Sequence, residues 1–392
     1  MNHQQYHNDT PGAANFIHLN NAGAALMPTP VIQAMEAHLQ LELNNGGYEA
    51  AAMQRKAIDR FYPVLADLLQ AQSHNIAFTA SATDSYNRAL SSILFKARDV
   101  ILTTTNDYVS NQIAFLQLQQ RFGVQLVRAE NLPEGGVDPA SVEKLIKLHH
   151  PQLVAVTHIP TNSGLIQPVE AIGELCQKYG CLYLVDACQS AGQLPLDVSA
   201  LHCDFLTATF RKFLRGPRGS GFLFVSDRVL DEGLAPLFLD LHSATWPEAD
   251  RYEPDATAKR FENWERAYAL VLGAVASVDY ALGVGLDEIA GAVQGHAAYL
   301  RQRFADSDNL KVLDKGKQLG GIVTLHLSGQ QPARVKAGLR TASVNTSLVF
   351  RGSALIDFEE KGVDWALRLS PHYYNTVEEL DMAVDKILAL FG

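Results

Sequence analysis

Charge is scarce in this chain, and scarcest in the sign a polyanion would need. Only 19% of the 392 residues are Asp, Glu, Lys or Arg, and 32 cations face 42 anions for a formal charge of -10. No long basic run occurs, which disfavours nucleic acid and anionic membranes as partners. Residues 1–14 lack the apolar centre of a signal peptide, and no later stretch has the length of a membrane span. The expectation is a cytoplasmic protein with a flexible tail over 1–14. Cysteine is limited to four positions, Cys176, Cys181, Cys188 and Cys203, with no Cys-x-x-Cys pair. All four lie in or beside apolar segments, so buried reduced thiols explain them better than a metal site. Internal repeats and low-complexity tracts are also missing.

What the chain does have is apolar residues, 47% of the total, and a length beyond what one hydrophobic core serves. Two domains are expected. After a short segment around Phe16 to Asn20, the small residues Asn21-Ala22-Gly23-Ala24-Ala25 leave room for backbone or ligand to pass closely. Thr29-Pro30 opens a helix, and an amphipathic helix fits 50–70 with a break near Pro63. From residue 74 short β-branched runs alternate with helical segments. Strands are predicted at 76–79, 100–104, 124–128, 153–158, 182–186, 205–209 and 222–225. Helices fit 83–96, 110–121, 139–148 and 169–179.

That rhythm predicts an α/β fold with a mostly parallel seven-stranded sheet, whose functional residues gather at the strand C-terminal ends. Residues 238–263 break it with His242, Trp246 and Tyr252, a segment long enough to be either disordered or functional. A helix over 264–282, a second over 286–305, four short strands and a last helix opened by the capping box Thr376-Val377-Glu378-Glu379 make a smaller α+β C-terminal domain. The boundaries read as a tail over 1–14, a large domain over 15–265 and a small domain over 266–392, with the N-terminal segment able to pack on the small domain.

Lys212 stands at the end of the run 205–209, after Thr209 and Arg211 and before the turn Arg215-Gly216-Pro217-Arg218-Gly219. Neighbouring cations and desolvation favour the neutral, nucleophilic amine that Schiff-base chemistry needs. A solvated loop lysine would read the same in isolation. Strand 76–79 leads into Ser81-Ala82-Thr83, a helix opening whose free amides and hydroxyls suit a phosphate, though a plain N-cap has the same sequence. Asp186 ends the apolar run 182–186 and is costly to bury unless a donor meets it. Paired with a pyridine nitrogen it would keep that nitrogen protonated, and Gln189 lies within reach of a phenolic oxygen on the same ring. An aspartate capping the next turn is the alternative.

The Asp-x-x-Gln after an apolar strand, the Thr-x-Arg-Lys before Gly-Pro-Arg-Gly, and the closing Arg-x-Ser-Pro-His-Tyr-Tyr-Asn-Thr together resemble class V aminotransferases. These fold type I enzymes depend on pyridoxal 5'-phosphate and include cysteine desulfurases, carbon-sulfur lyases and isopenicillin N epimerase. The resemblance runs from Phe16 to the C-terminus. It implies that Lys212 holds the cofactor as a Schiff base, Asp186 meets the ring nitrogen and Gln189 the phenolic oxygen. Ser81, Ala82, Thr83, Thr209 and Arg211 would bind the phosphate, and Tyr108 would stack on the ring. Asn162 would lie near the phenolic oxygen and the substrate, and Arg368 would grip the α-carboxylate of an amino acid.

Ala22 and Trp246 are further candidate substrate contacts, with His242 and Tyr252 in the same wall. Arg215 and Arg218 would add anionic selectivity, and His372, Tyr373 and Tyr374 would either line the site or stand exposed at a strand end. The family also implies a homodimer.

Two departures narrow the activity. No cysteine follows Cys203, so the persulfide-forming cysteine of the desulfurases has no counterpart. Arg260-Phe261-Glu262-Asn263-Trp264-Glu265 replaces a threonine-containing loop of many relatives and is most similar to hercynylcysteine sulfoxide lyase-like members. A carbon-sulfur β-lyase is the implied activity. An aminotransferase or epimerase remains open on chemical grounds, and a non-catalytic cofactor-binding protein is the minor alternative.

Overall fold

All seven predicted strands form one sheet in the computed structural model, which describes Met1–Gly392. The order across it is Ile76–Thr79, Gly221–Val225, Phe205–Thr209, Leu182–Asp186, Leu153–Thr157, Val100–Thr103 and Gln125–Arg128. Only Gly221–Val225 runs against its neighbours. The six inner and edge strands up to Val100–Thr103 are buried along their whole length. Continuous apolar runs rather than alternation are what a sheet covered on both faces requires. The helix Val169–Tyr179 occupies the predicted residues and is closed by Gly180 in the left-handed conformation.

The smaller domain is a four-stranded antiparallel sheet, in the order Leu310–Val312, Val323–Leu327, Trp365–Leu369 and Ser347–Phe350. The helices Leu286–Ala305 and Val377–Phe391 cover it, the latter with the predicted capping box. Ile17–His18 pairs in parallel with Val344–Asn345, so the N-terminal segment packs on the small domain. The predicted boundary is displaced. The helix Tyr268–Val284 buries Val271, Ala274 and Val278 in the large domain's core, and the small domain's own core begins within Leu286–Ala305. No single helix is long and apolar enough to cross a membrane.

Three other expectations are corrected. Residues 1–14 are not a loose tail: Asn2 caps the helix His3–Asn8, and His3 Nδ1 lies 2.7 Å from the carbonyl of Tyr373. The segment 50–70 is three short helices that break at Gln54 and Arg60. Pro63 sits in the first turn of Phe61–Leu69, where a missing N–H forfeits no intrahelical bond. Within 238–263 an antiparallel hairpin, Ala244–Glu248 with Arg251–Pro254, replaces the expected irregular segment.

Arg215, His372, Tyr373 and Tyr374 form a buried structural knot instead of lining the site or facing solvent. The Arg215 guanidinium donates to Leu26 O (2.9 Å), the Tyr373 hydroxyl (2.9 Å) and Thr10 Oγ1. It also lies 4.4 Å from the Tyr374 ring centroid and 5.1 Å from that of Tyr373. The knot ties residues near the N-terminus to both domains, and its charge is spent inside the fold. Arg215→Met leaves those acceptors unpaired and should cost about 3 kcal/mol, read as a lowered denaturation midpoint.

Burial pushes His158 down to about 4, and its Nδ1 has no partner. The unfolded chain takes up a proton near pH 6.5 that the native histidine refuses. Stability therefore rises with pH between about 4 and 6.5 and is level in this respect above it, a change on the order of 3 kcal/mol. Thermal midpoints measured from pH 4 to 7 should show a shallower slope in His158→Gln than in the parent chain.

Candidate active site

The C-terminal ends of the parallel strands surround a cavity. Ser81, Ala82, Thr83, Tyr108, Asp186, Gln189, Thr209, Arg211 and Lys212 all line it. Thus nine of the predicted residues, from four chain segments, meet at one place. Ser81 caps the helix Ala82–Ser92, its Oγ accepting from Asp84 N, so the free amides of the first turn open onto the cavity. Gly221 makes that approach possible: a Cβ there would lie 2.7 Å from Ser81 C and 2.9 Å from Ala82 N.

Asp186 ends a central strand, paired across the sheet with Thr157 and Thr207. Its carboxylate accepts from Asn111 Nδ2 (3.0 Å) and Cys188 N (2.9 Å), which offsets part of the cost of burial. Asn111 also donates to Asp107, which takes further hydrogen bonds from Thr157 Oγ1, Gln112 and Thr103. Burial pushes Asp107 above the usual carboxylate range. This second row was not read from the sequence. Its only signal is that Asp107 and Asn111 stand four residues apart around a helix start, so both turn toward the strand ends.

Lys212 is 8% exposed, and no hydrogen bond holds its amine. Burial pulls its pKa down, and Arg211 and Arg368 add to this, while Cys188 and Asp186 oppose it. Arg211 and Arg368 are themselves met only by uncharged oxygens. Arg211 Nη1 donates to Gly23 O. Arg368 Nη1 donates to Thr161 Oγ1 (2.6 Å) and Thr161 O (3.1 Å), Nη2 donates to Asn20 Oδ1 (3.3 Å), and Nε has no partner. Burial lowers Arg368 to about 10, so it stays cationic at neutral pH. A buried guanidinium without a carboxylate is a vacancy for an anion.

Arg368 stands behind Thr161 rather than in the lining, and the remaining candidates also lie outside it. Asn162 is fully buried behind Thr161, with its Nδ2 donating to Asn106 and Asp357. Ala22 is buried and reaches the site through its carbonyl, which accepts from Gln189 Nε2 (3.1 Å). Trp246 is not brought to the cavity: it is 78% exposed on the hairpin, and Tyr252 is exposed beside it. His242 bonds to the buried Glu262, which also accepts from Tyr62, Arg266 and Phe78 N, so the 260–265 segment braces the sheet edge. Arg218 is exposed. Cys188, read as a buried structural thiol, lines the cavity, as do Thr157, Ile159 and Thr161. A wider apolar groove between the helices Ala82–Ser92 and Val109–Phe122 has Arg121 as its one titratable lining residue and carries no comparable chemistry.

A pyridoxal phosphate needs a free amine, a carboxylate for its ring nitrogen, an anion cradle and an aromatic or apolar slot. Lys212, Asp186, the Ala82–Ser92 helix start with Arg211, and Tyr108 supply these around one cavity. The unpartnered Gln189 Oε1 and the unpaired amine of Lys212 are buried polar groups awaiting a partner. The residues present fit the group.

The family model for aminotransferase class V matches residues 17–382. A probable cysteine desulfurase of Methanothermobacter thermautotrophicus is 28% identical over 402 aligned residues, covering 100% of this chain and 99% of that protein. An uncharacterized aminotransferase of Bacillus subtilis is 26% identical, covering 98% and 97%. Among solved structures, the apo cysteine desulfurase of Thermococcus onnurineus superposes with a TM-score of 0.90 at 26% identity, covering 99% and 97%. A cystine C-S lyase in complex with cysteine persulfide superposes at 0.85 and 23% identity, covering 98% and 100%, which speaks to the fold alone.

Asn111→Leu removes a donor from both Asp186 and Asp107. Retention of pyridoxal phosphate during dialysis should weaken about tenfold, a loss of the size expected for a hydrogen bond to a charged group. Unchanged retention would remove Asn111 from the support of Asp186.

Proposed function

The chain belongs to the class V aminotransferase family of pyridoxal-phosphate-dependent enzymes, and on that premise we propose that it is a carbon-sulfur β-lyase acting on a cysteine derivative. The observation that carries this reading is the absence of a usable sulfur acceptor beside an otherwise full catalytic set. No cysteine follows Cys203. Cys188 is the one thiol that lines the cavity, and burial with the neighbouring Asp186 pushes it well above the usual thiol range. A protonated thiol is a poor nucleophile, so sulfur leaves with the product instead of passing to the protein.

Lys212 would hold the cofactor covalently, Asp186 would face its ring nitrogen, and Ser81, Ala82, Thr83, Thr209 and Arg211 would hold its phosphate. When bound, pyridoxal phosphate supplies an electron sink for the pair left on the substrate's α-carbon. Arg368 takes the substrate carboxylate in a forked pair of hydrogen bonds and sets the α-carbon against Lys212. Once the substrate amine has replaced it, Lys212 is the nearest base and accepts the α-proton. The electron pair from that bond ends in a Cα–Cβ double bond as the Cβ–S bond breaks, and sulfur departs with its electrons. Lys212 would then displace the product's nitrogen and recover its own place, and hydrolysis of the released enamine gives pyruvate and ammonia. Asp186, held by Asn111 and Cys188 N, keeps positive charge on the ring throughout.

The resemblance of 260–265 to sulfoxide lyase-like members directs the choice of leaving group to thioethers, their sulfoxides and disulfides. Incubation with cystine, cysteine conjugates and their sulfoxides should release pyruvate, and Lys212→Ala should abolish both that release and the visible absorbance of the bound cofactor. Transfer of the amino group to a keto acid, or inversion at the α-carbon, without pyruvate from any of them would overturn the lyase reading in favour of an aminotransferase or an epimerase.

A further inference from the structure

One carboxylate of the small domain, Asp357, reaches across to two loops of the large domain. It lies on the short helix Leu355–Lys361, whose Phe358 packs with Leu313, Val349 and Ala366 in a small cluster of its own. Asp357 Oδ2 accepts from Asn162 Nδ2 (2.7 Å), and Oδ1 accepts from Asn106 Nδ2 (3.2 Å). Lys361 Nζ, its side chain almost wholly buried, donates to Oδ2 (2.7 Å). Asn162 Nδ2 also donates to Asn106 Oδ1 (3.0 Å). Both N–H groups of Asn162 are therefore committed, which fixes its amide and leaves Oδ1 as the one unpartnered atom of the network.

Asn106 follows the strand Val100–Thr103, and Asn162 follows Leu153–Thr157. The residue before Asn162 is Thr161, whose carbonyl and hydroxyl accept from the Arg368 guanidinium and whose hydroxyl also meets Gln189 Nε2 (3.0 Å). Arg368 has no carboxylate to orient it, and beside the longer bond to Asn20 Oδ1 (3.3 Å) the direction of its fork is set by the two Thr161 oxygens. Their place depends on the loop that Asp357 holds. We infer that Asp357 is a positioning residue: by clamping Asn162 and Asn106 to the small domain it aims Arg368 and so sets recognition of the substrate carboxylate.

The inference rests on the proposed role of Arg368, and it makes Asn162 a strut of the site whose amide nitrogen is already engaged. Lys361 completes the clamp by donating to the Asp357 carboxylate in a place where both side chains are largely buried. The effect is specific to Arg368, because Asp186 is held by Asn111 and Cys188 N and neither Asp186 nor Lys212 bonds to Asp357, Asn106 or Asn162.

The test compares binding of alanine with binding of ethylamine, an amine without a carboxylate, to the cofactor-loaded protein, read by the change in cofactor absorbance. The parent chain should prefer alanine strongly. Asp357→Ala leaves the Lys361 ammonium buried alone and can fail to fold, so the informative variant is Asp357→Asn combined with Lys361→Met. That pair places no unpaired charge in the interior. Its alanine affinity should fall about tenfold with ethylamine binding unchanged, and its KM for the sulfur substrate should rise with kcat within about twofold, the signature of lost binding common to ground and transition states.

A variant that keeps the parent preference for alanine overturns the inference, as does one that loses alanine and ethylamine binding alike. A parent chain that binds both equally would sink the carboxylate role of Arg368 itself, a separate result that is visible before any substitution is made.

Discussion

Two guanidiniums and an amine lie together at one end of the sheet with no carboxylate opposite either arginine, and the rest of the site answers to that constraint. Arg211 and Arg368 are satisfied only in part, by backbone and hydroxyl oxygens. Each cation disfavours the next: Arg368 lowers Lys212, and Arg211 lowers both. Such a cluster is tolerable where anions complete it, and the two anions of the proposed chemistry, a cofactor phosphate and a substrate carboxylate, arrive from outside. The same repulsion that makes the empty cluster costly favours the neutral form of Lys212. Burial is the larger cause of that preference, and the repulsion adds to it.

Around that cluster the two domains divide the work. Large-domain strand ends carry Asp186, Thr209 and Lys212, on a sheet buried on both faces and stiff for that reason. The small domain contributes Arg368 from a strand paired with Val323–Leu327 and Ser347–Phe350, so its Cα is fixed by two ladders. The seam between them is polar and bridged by several hydrogen bonds. Thr161 and Asn20 meet Arg368, Asp357 meets Asn106 and Asn162, and the Arg215 knot joins residues near the N-terminus to the segment 372–374.

Much of this was legible because the informative residues sit next to strong local signals. The run 205–209 is buried along its length, so the polar residues that follow it, Arg211 and Lys212, had to emerge at a strand end. Asp186 and Gln189 were read in the same way from 182–186. Helix 169–179 matched because its periodicity and closing glycine agree. The failures share a different cause. Arg215 looked like a ligand for anions because it stands among glycines and arginines, yet three tyrosines and three oxygens distant in sequence absorb it. Trp246 looked like a pocket wall because it interrupts a polar segment, yet a hairpin carries it outward. Pro63 looked like a break, and lies instead in a first turn where proline is harmless.

By itself the order of residues placed a lysine, an aspartate and a helix-opening Ser-Ala-Thr turn each at the end of a β-branched run, which points to a parallel sheet presenting them together, while the class of chemistry is what the resemblance of the combined motifs implies. It also excluded a persulfide acceptor in the small domain, since no cysteine follows Cys203. What only the tertiary structure decided is which way the polar side chains face. That Asn162 is a strut behind Thr161 and that Asn111 steadies Asp186 depend on hydrogen bonds between residues dozens to hundreds of positions apart. Such bonds are short-ranged and directional, so they exist only after packing has brought the backbone segments to within a few ångströms, and no local pattern in the chain encodes them.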